Sequence, residues 1–212
     1  MGIAYCPECN ETIAGNYCPE CGTKSITKNE NDSPAADSWR EEKDFRKLVK
    51  NPEVQAYLIR FSGKSERALS AKEFLKRIDQ VFAPTTGISL EKLMDVMVPV
   101  YKKIGIKTGK SRTDTFDYTI QEVLLKVLCS LVKRNLSLQS VHEANNGVVL
   151  VAEIPSSMKT FGGELVVSLE EGPEKTKVTA AAQIKGQLFD WGESKSKVKA
   201  VFSDIEEIEI DF

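Results

Sequence analysis

The feature that most constrains this chain is a six-residue motif that occurs twice near the N-terminus. Residues 5–10 read Tyr-Cys-Pro-Glu-Cys-Asn and residues 17–22 read Tyr-Cys-Pro-Glu-Cys-Gly, so five of the six positions are identical. Two Cys-x-x-Cys pairs arranged in this way can bring four thiolates around one metal ion in a tetrahedron. Proline stiffens each turn, and the Asn10 or Gly22 that follows tolerates the left-handed conformation in which such turns tend to end. The sequence therefore predicts a metal site with four ligands: Cys6, Cys9, Cys18 and Cys21.

The duplicated motif resembles the short zinc ribbons, built from two CPxCG knuckles, that lie at one end of many bacterial and archaeal proteins. The resemblance covers residues 5–22. It departs from the family pattern at Asn10, where glycine is usual, and in its short loop of eight residues between the knuckles. Neither departure changes the ligand set. The resemblance implies one structural zinc ion (Zn2+) and an interaction role in which the partners vary from protein to protein.

Other uses of paired cysteines fit this sequence less well. A disulfide framework needs an oxidising compartment, and no signal routes the chain to one. A redox Cys-x-x-Cys normally stands alone at the start of a helix in a βαβ unit, whereas here the motif is duplicated. Iron, as a single ion or in an iron–sulfur cluster, uses the same thiolate ligands and stays an alternative to zinc.

Charge is distributed unevenly along the chain, and this bears on its partners. Residues 5–22 contain three glutamates and no lysine or arginine, so this segment lacks the cations that release counterions from a phosphate backbone. We therefore expect the ribbon to bind a protein. Residues 40–110, in contrast, carry sixteen basic and nine acidic side chains, a local charge of +7. Such a region can face a polyanion, or it can pair with the acidic C-terminal region.

The chain shows no sign of a membrane anchor. No stretch approaches the roughly 18–20 uninterrupted apolar residues that span a bilayer. The first residues lack the basic and apolar regions of a signal peptide, and Cys6 stands where a myristoylation motif requires serine or threonine. We expect a cytoplasmic protein that does not bind membranes.

Composition and apolar spacing predict a zinc ribbon at 1–24, a flexible linker at 25–37, a helical region at 38–110 and an α+β domain at 111–212. In the helical region, Ser38 and Glu41 are spaced as a capping box, and Asn51-Pro52 is typical of a helix end followed by a new start. Four apolar residues then share one helical face: Val54, Tyr57, Leu58 and Phe61. A second capping box begins at Ser70 and opens further amphipathic segments up to Gly105.

The last hundred residues predict a different architecture. A weak strand at 111–117 precedes a helix at 119–134, which is capped by Thr119 and ended by Asn135. Four strands follow at 137–144, 147–154, 163–169 and 176–184, with a hairpin turn at Asn146-Gly147. A closing helix is expected to be capped by Asp190 and to pack Trp191, Val198, Val201, Phe202 and Ile205 against the sheet. The fold class is therefore α+β, an antiparallel sheet with two packed helices. Its element order slightly resembles the helix-grip or START-like fold, an analogy that carries no function.

Several features resemble active-site elements but have simpler structural interpretations. Gly105 to Ser111 looks like a phosphate-binding loop, yet it has three residues between its glycines where four are needed. His142, the only histidine, is expected to be a surface or half-buried strand residue. Cys129 lies among apolar helix residues and is expected to be an inert core thiol. No catalytic residues and no organic cofactor site are predicted.

The sequence thus predicts a non-enzymatic zinc-ribbon protein with an interaction or regulatory role and a protein partner. Two alternatives stay open. The first is a nucleic-acid-binding protein that uses the basic helical region through Lys72, Lys76, Arg77, Lys102 and Lys103. The second is a small-ligand or lipid binder with a pocket beneath Trp191, between the closing helix and the sheet.

Overall fold

The computed structural model describes residues 3–6, 9, 26–28, 39–62, 74, 81, 90, 92, 110–156, 162–184 and 193–210. The chain divides into two compact units, Met1–Ser38 and Trp39–Phe212. In the first unit, strand β1 (Ile3–Tyr5) pairs antiparallel with strand β2 (Ile26–Lys28), and Tyr5 lies opposite Ile26. Strand β2 lies within residues 25–37, which the sequence predicts to be a flexible linker, because the β-branched pair Ile26-Thr27 favours a strand.

The second unit contains a five-stranded antiparallel sheet. Its strands are β3 (Lys110–Phe116), β4 (Ser137–Ala144), β5 (Gly147–Ile154), β6 (Gly163–Glu171) and β7 (Thr176–Ile184). The spatial order is β3-β7-β6-β5-β4, so the first strand pairs with the last and the others follow as a meander. The four predicted C-terminal strands and the weaker strand at 111–117 are confirmed.

Four helices of this unit are described over their whole length: α1 (Phe45–Lys50), α2 (Pro52–Phe61), α3 (Ile120–Lys133) and α4 (Glu193–Glu207). Helices α3 and α4 pack against each other and against one sheet face. One apolar core joins them to alternate residues of the strands and to α1 and α2. The helices at 45–61 and the α+β part therefore share a single core.

Helix boundaries follow local capping chemistry. Thr119 and Glu122 form a reciprocal capping box at the start of α3, as predicted, and Asn135 has a φ of 55° just beyond its end. Asn51 caps α2, with Pro52 in its first turn, also as predicted. The capping box expected at Ser38 was wrong. Residues 39–41 form a turn, and α1 starts later because the Asp44 carboxylate accepts hydrogen bonds from the amides of Arg46 and Lys47.

Two details of the sheet differ from the prediction or extend it. The hairpin turn between β4 and β5 is formed by Asn145 and Asn146, while Gly147 is already paired with Ala144. A Cβ atom at Gly147 would lie 2.1 Å from the Leu169 carbonyl oxygen, so glycine is needed there for close strand approach. The second sheet face is covered at this end. Leu90 packs on Val149, and its amide donates to the Asn146 side chain at 2.9 Å.

The closing helix packs as predicted in its described part. Val198, Val201, Phe202 and Ile205 are all buried in the core. Three further predictions lie outside the described residues: the cap at Asp190, the packing of Trp191, and the capping box at Ser70.

Candidate functional site

The first cysteine pair forms a local knuckle directly after β1. The Cys9 amide donates a hydrogen bond to Cys6 Sγ at 3.3 Å, and the Cys6 side chain is buried. A hydrogen bond donated to sulfur favours its charged form, the thiolate that a metal requires. Strand pairing fixes the chain directly before Cys6, because β1 ends at Tyr5 and Tyr5 pairs with Ile26 of β2. This pairing closes the segment that contains both cysteine pairs.

The second cysteine pair, Cys18 and Cys21, lies outside the described residues. Within the described ranges no cluster of three or more histidine, cysteine or acidic side chains could hold a metal ion. The residues of the predicted basic surface also lie outside these ranges: Lys72, Lys76, Arg77, Lys102 and Lys103. The site that the sequence predicts is therefore described at one of its two knuckles.

A second polar cluster, which the sequence did not reveal, joins α3 to α4. The Asp204 carboxylate is fully buried and accepts hydrogen bonds from Ser130 Oγ (2.6 Å), Lys133 Nζ (2.8 Å) and Arg134 Nε (2.6 Å). Burial raises the pKa of Asp204, but the three donors outweigh it and hold that pKa below the usual 3.8. Every hydrogen bond of the carboxylate joins two helices. The cluster therefore stabilises the α3–α4 pair.

Lys126 is a residue of α3 whose side chain reaches the C-terminal end of α4. Its Nζ donates to the carbonyl oxygens of Ile205 (3.0 Å) and Ile208 (2.7 Å) and lies 4.0 Å from the Tyr118 ring centroid. Burial lowers the pKa of Lys126 against the opposing effect of Glu122 and Glu209. The ammonium group neutralises the negative end of the α4 dipole and satisfies carbonyl groups that the helix leaves unpaired.

A cleft of about 610 Å³ opens next to Lys126. Its walls are Tyr118, Glu122, Lys126, Glu206, Ile208, Glu209 and Ile210. The volume falls in the range of small-molecule sites, roughly 300–1,000 Å³. Glu122 is already held by Thr119 and Arg40, so the carboxylates of Glu206 and Glu209 beside one engaged ammonium make this cleft suited to a cationic ligand rather than to a lipid tail. In the described part of α4, the interface with the sheet is filled by side chains. They include Phe202, which stacks on Phe116 with 6.0 Å between the ring centroids.

The chain enters the second unit through an anchored segment. Trp39 is buried, the Arg40 guanidinium lies 4.5 Å from its ring centroid, and Arg40 Nε contacts the Glu122 carboxylate at 3.4 Å. The Gln121 side chain donates to the carbonyl oxygen of Glu42 at 3.2 Å. These contacts attach the segment that follows the first unit to the start of α3.

The two remaining candidate residues behave as core and strand residues. Cys129 is fully buried, and burial raises the pKa of its thiol to about 12, so no thiolate forms at neutral pH. His142 is half-buried on β4, where its Nε2 lies 3.0 Å from Ser140 Oγ and burial lowers its pKa. The core position of Cys129 and the half-buried strand position of His142 are confirmed, while the inertness of the Cys129 thiol stays a prediction.

No protein-family model, curated protein or solved structure matches this chain. Among the described residues, no helix is both long enough and apolar enough to cross a membrane. The described part of the chain has an α+β fold, with helices packed on a five-stranded antiparallel sheet.

Proposed function

We propose that the protein is a non-enzymatic interaction module in which Cys6, Cys9, Cys18 and Cys21 hold one structural zinc ion and the resulting ribbon binds a protein partner. The observation that carries this proposal is the Cys9 amide directed at Cys6 Sγ, in a segment whose ends are paired by β1 and β2. An amide hydrogen bond donated to the buried sulfur of the cysteine three residues earlier is the local geometry of a metal-binding knuckle. When bound, zinc would supply the cross-link between the two halves of the motif.

The charge of the ribbon sets the chemistry of the partner. The segment 5–22 carries Glu8, Glu11 and Glu20 and no basic side chain. Opposite charges steer association and suppress wrong partners. We therefore expect a basic protein surface as the binding partner.

The test compares Cys9→Ser with Cys129→Ala in the full-length protein. Zinc per chain, measured by elemental analysis, should fall from one to near zero in the first variant and stay at one in the second. Proteins retained on immobilised wild-type protein and lost with Cys9→Ser are then purified and titrated individually. Zinc content unchanged by Cys9→Ser, or equal binding of every partner by both variants, would refute the proposal.

The nucleic-acid alternative makes a different prediction. Binding through Lys72, Lys76 and Arg77 would weaken steeply with salt, because each neutralised phosphate releases counterions. It would also survive Cys9→Ser. A titration of duplex DNA and of single-stranded RNA at two salt concentrations separates this function from the ribbon-based one.

The sequence places the pocket of the small-ligand alternative beneath Trp191, which lies outside the described residues. The acidic cleft beside Lys126 supports a different location for a small-ligand site. A polyamine such as spermidine is the appropriate probe, because the cleft is lined by Glu122, Glu206 and Glu209. Calorimetric titration of wild-type protein and of Glu206→Gln decides it. Loss of a stoichiometric heat in the variant supports a ligand site, and the absence of heat in the wild type removes it.

A further inference from the structure

The two edges of the sheet are built differently. Strand β4 carries an irregularity between Leu138 and Ser140, the kind of bulge that blunts an edge against pairing with another chain. Strand β3 pairs with β7 residue for residue from Lys110 to Phe116 without any register shift. Its side chains at Ser111, Arg112, Thr113 and Thr115 are exposed. Among the described residues no strand pairs with its outer side, so β3 presents a regular edge of seven residues.

The sequence of β3 is complementary to itself around Thr113. If two copies pair antiparallel about a two-fold axis at Thr113, Arg112 of each copy lies opposite Asp114 of the other. Opposite charges and threonine or serine pairs at directly facing positions stabilise antiparallel strands. A slip by two residues would instead place Arg112 against Arg112, or Asp114 against Asp114, and like charges at facing positions are destabilising.

Arg112 and Asp114 are available for this exchange. In one chain they form an exposed pair at 2.7 Å, with 43% and 44% of their side chains accessible. An exposed pair contributes little to the stability of a single chain. The Arg112 guanidinium also lies 4.4 Å from the Phe202 ring centroid. This contact places Phe202 of α4 next to Arg112 of β3.

Helix α4 has the same self-complementarity about the same point. Lys199 lies one turn before Phe202 and Glu206 one turn after it, and both side chains are exposed. The two positions are seven residues apart and thus lie within about 20° of each other around the helix. Phe202 contacts both Arg112 and Phe116 of β3, so a two-fold axis at Thr113, perpendicular to the sheet, would make the two α4 helices antiparallel with Phe202 near the middle of each. Lys199 of one copy would then lie level with Glu206 of the other along β3.

We infer that β3 is a dimerisation edge, at which a second copy of this chain adds its own β3 and extends the sheet to ten strands. The contact is isologous, since the same patch is used by both copies, as in most closed homodimers. Backbone hydrogen bonds would provide the attachment, and the two charge patterns would fix its register. This inference is independent of the zinc ribbon.

The test uses charge variants that cannot pair with themselves but can pair with each other. Wild-type protein should have twice the 23.6 kDa mass of one chain in sedimentation equilibrium. Asp114→Arg alone places two cations opposite each other at each facing pair, and Arg112→Asp alone places two anions opposite each other. Each single variant should therefore sediment as a monomer. An equimolar mixture of the two should recover the dimer. The double variant Arg112→Asp/Asp114→Arg, which keeps opposite charges at facing positions, should be dimeric by itself.

Four results would overturn the inference. They are a monomeric wild type, single variants that stay dimeric, a mixture that fails to recover the dimer, and a monomeric double variant that melts at the wild-type temperature. The double variant also guards against trivial unfolding, because it retains one charge of each sign on the same strand.

Discussion

The N-terminal unit and the α+β unit differ in what can hold them together. Residues 1–38 form a body below about 40 residues, a size at which metals, disulfides or oligomerisation are usually needed for stability. Residues 39–212 bury a continuous apolar core whose largest members include Trp39, Phe74 and Phe202. We therefore expect the first unit to depend on the proposed metal cross-link and the second unit to depend on packing. If so, each unit should respond to perturbations that leave the other unchanged.

The largest effect should come from emptying the core beneath α4. Phe202 is fully buried and stacks on Phe116, so Phe202→Ala should lower the free energy of unfolding of the second unit by about 3–5 kcal/mol. Ile59→Ala is the control, because that side chain is 49% exposed and its loss should cost less than about 0.5 kcal/mol. Chemical denaturation measures both. If Phe202→Ala also removed zinc from the folded protein, the two units would not be independent.

A smaller but pH-dependent effect is expected for the α3–α4 ion cluster. Asp204→Asn leaves Lys133 and Arg134 without their shared carboxylate and should cost about 2–3 kcal/mol at neutral pH. The folded pKa of Asp204 is lowered, so its stabilisation is present above the usual pKa of 3.8 and is lost as pH falls through the folded value. The stability difference between wild type and variant should therefore shrink in acid.

The control for this experiment lies on the same helix. Glu207 is exposed, and Glu207→Gln should change the unfolding free energy by less than about 0.5 kcal/mol at neutral pH. A difference between wild type and Asp204→Asn that stayed constant from neutral pH to below pH 3 would show that the charge of Asp204 is not what stabilises the helix pair.

The smallest effect concerns the cap of α3. Thr119 Oγ1 accepts a hydrogen bond from the Glu122 amide, and the Thr119 amide donates one to the Glu122 carboxylate. Thr119→Ala should therefore cost about 1 kcal/mol, while Thr119→Ser, which keeps the hydroxyl, should cost much less. Thermal melting of the two variants resolves the difference. Equal melting temperatures for both would mean that the capping box does not stabilise the helix.

The sequence predicted elements whose signals are local. Helix α3 combines a capping box with an apolar stripe, and the C-terminal strands combine alternation with turn residues, so their bounds came out within a few residues. Local signals also conflict. Ser38 and Glu41 have capping-box spacing, but the helix starts later, where the Asp44 carboxylate accepts hydrogen bonds from two backbone amides. Trp39 is buried, and residues 39–41 form a turn.

What the sequence could not predict depends on partners far away along the chain. Asp204 meets Ser130 across 74 positions, and Lys126 meets the Ile208 carbonyl across 82. No periodicity encodes such pairs, because each residue taken alone looks like an ordinary charged position on an amphipathic helix. The self-complementary charges of β3 are present in the sequence as Arg112-Thr113-Asp114. It gained meaning only when the sheet order placed this strand at an edge.

The most direct test of the central claim is hydrogen exchange, followed by mass spectrometry, before and after zinc is removed with a chelator. The account predicts that peptides from residues 1–28 lose their protection when zinc is removed, while peptides from α3 and from β5 to β7 keep theirs. Readdition of one equivalent of zinc should restore the original pattern. Unchanged exchange in residues 1–28 after complete metal removal would contradict the claim that a metal holds this unit together. So would an equal loss of protection in both units.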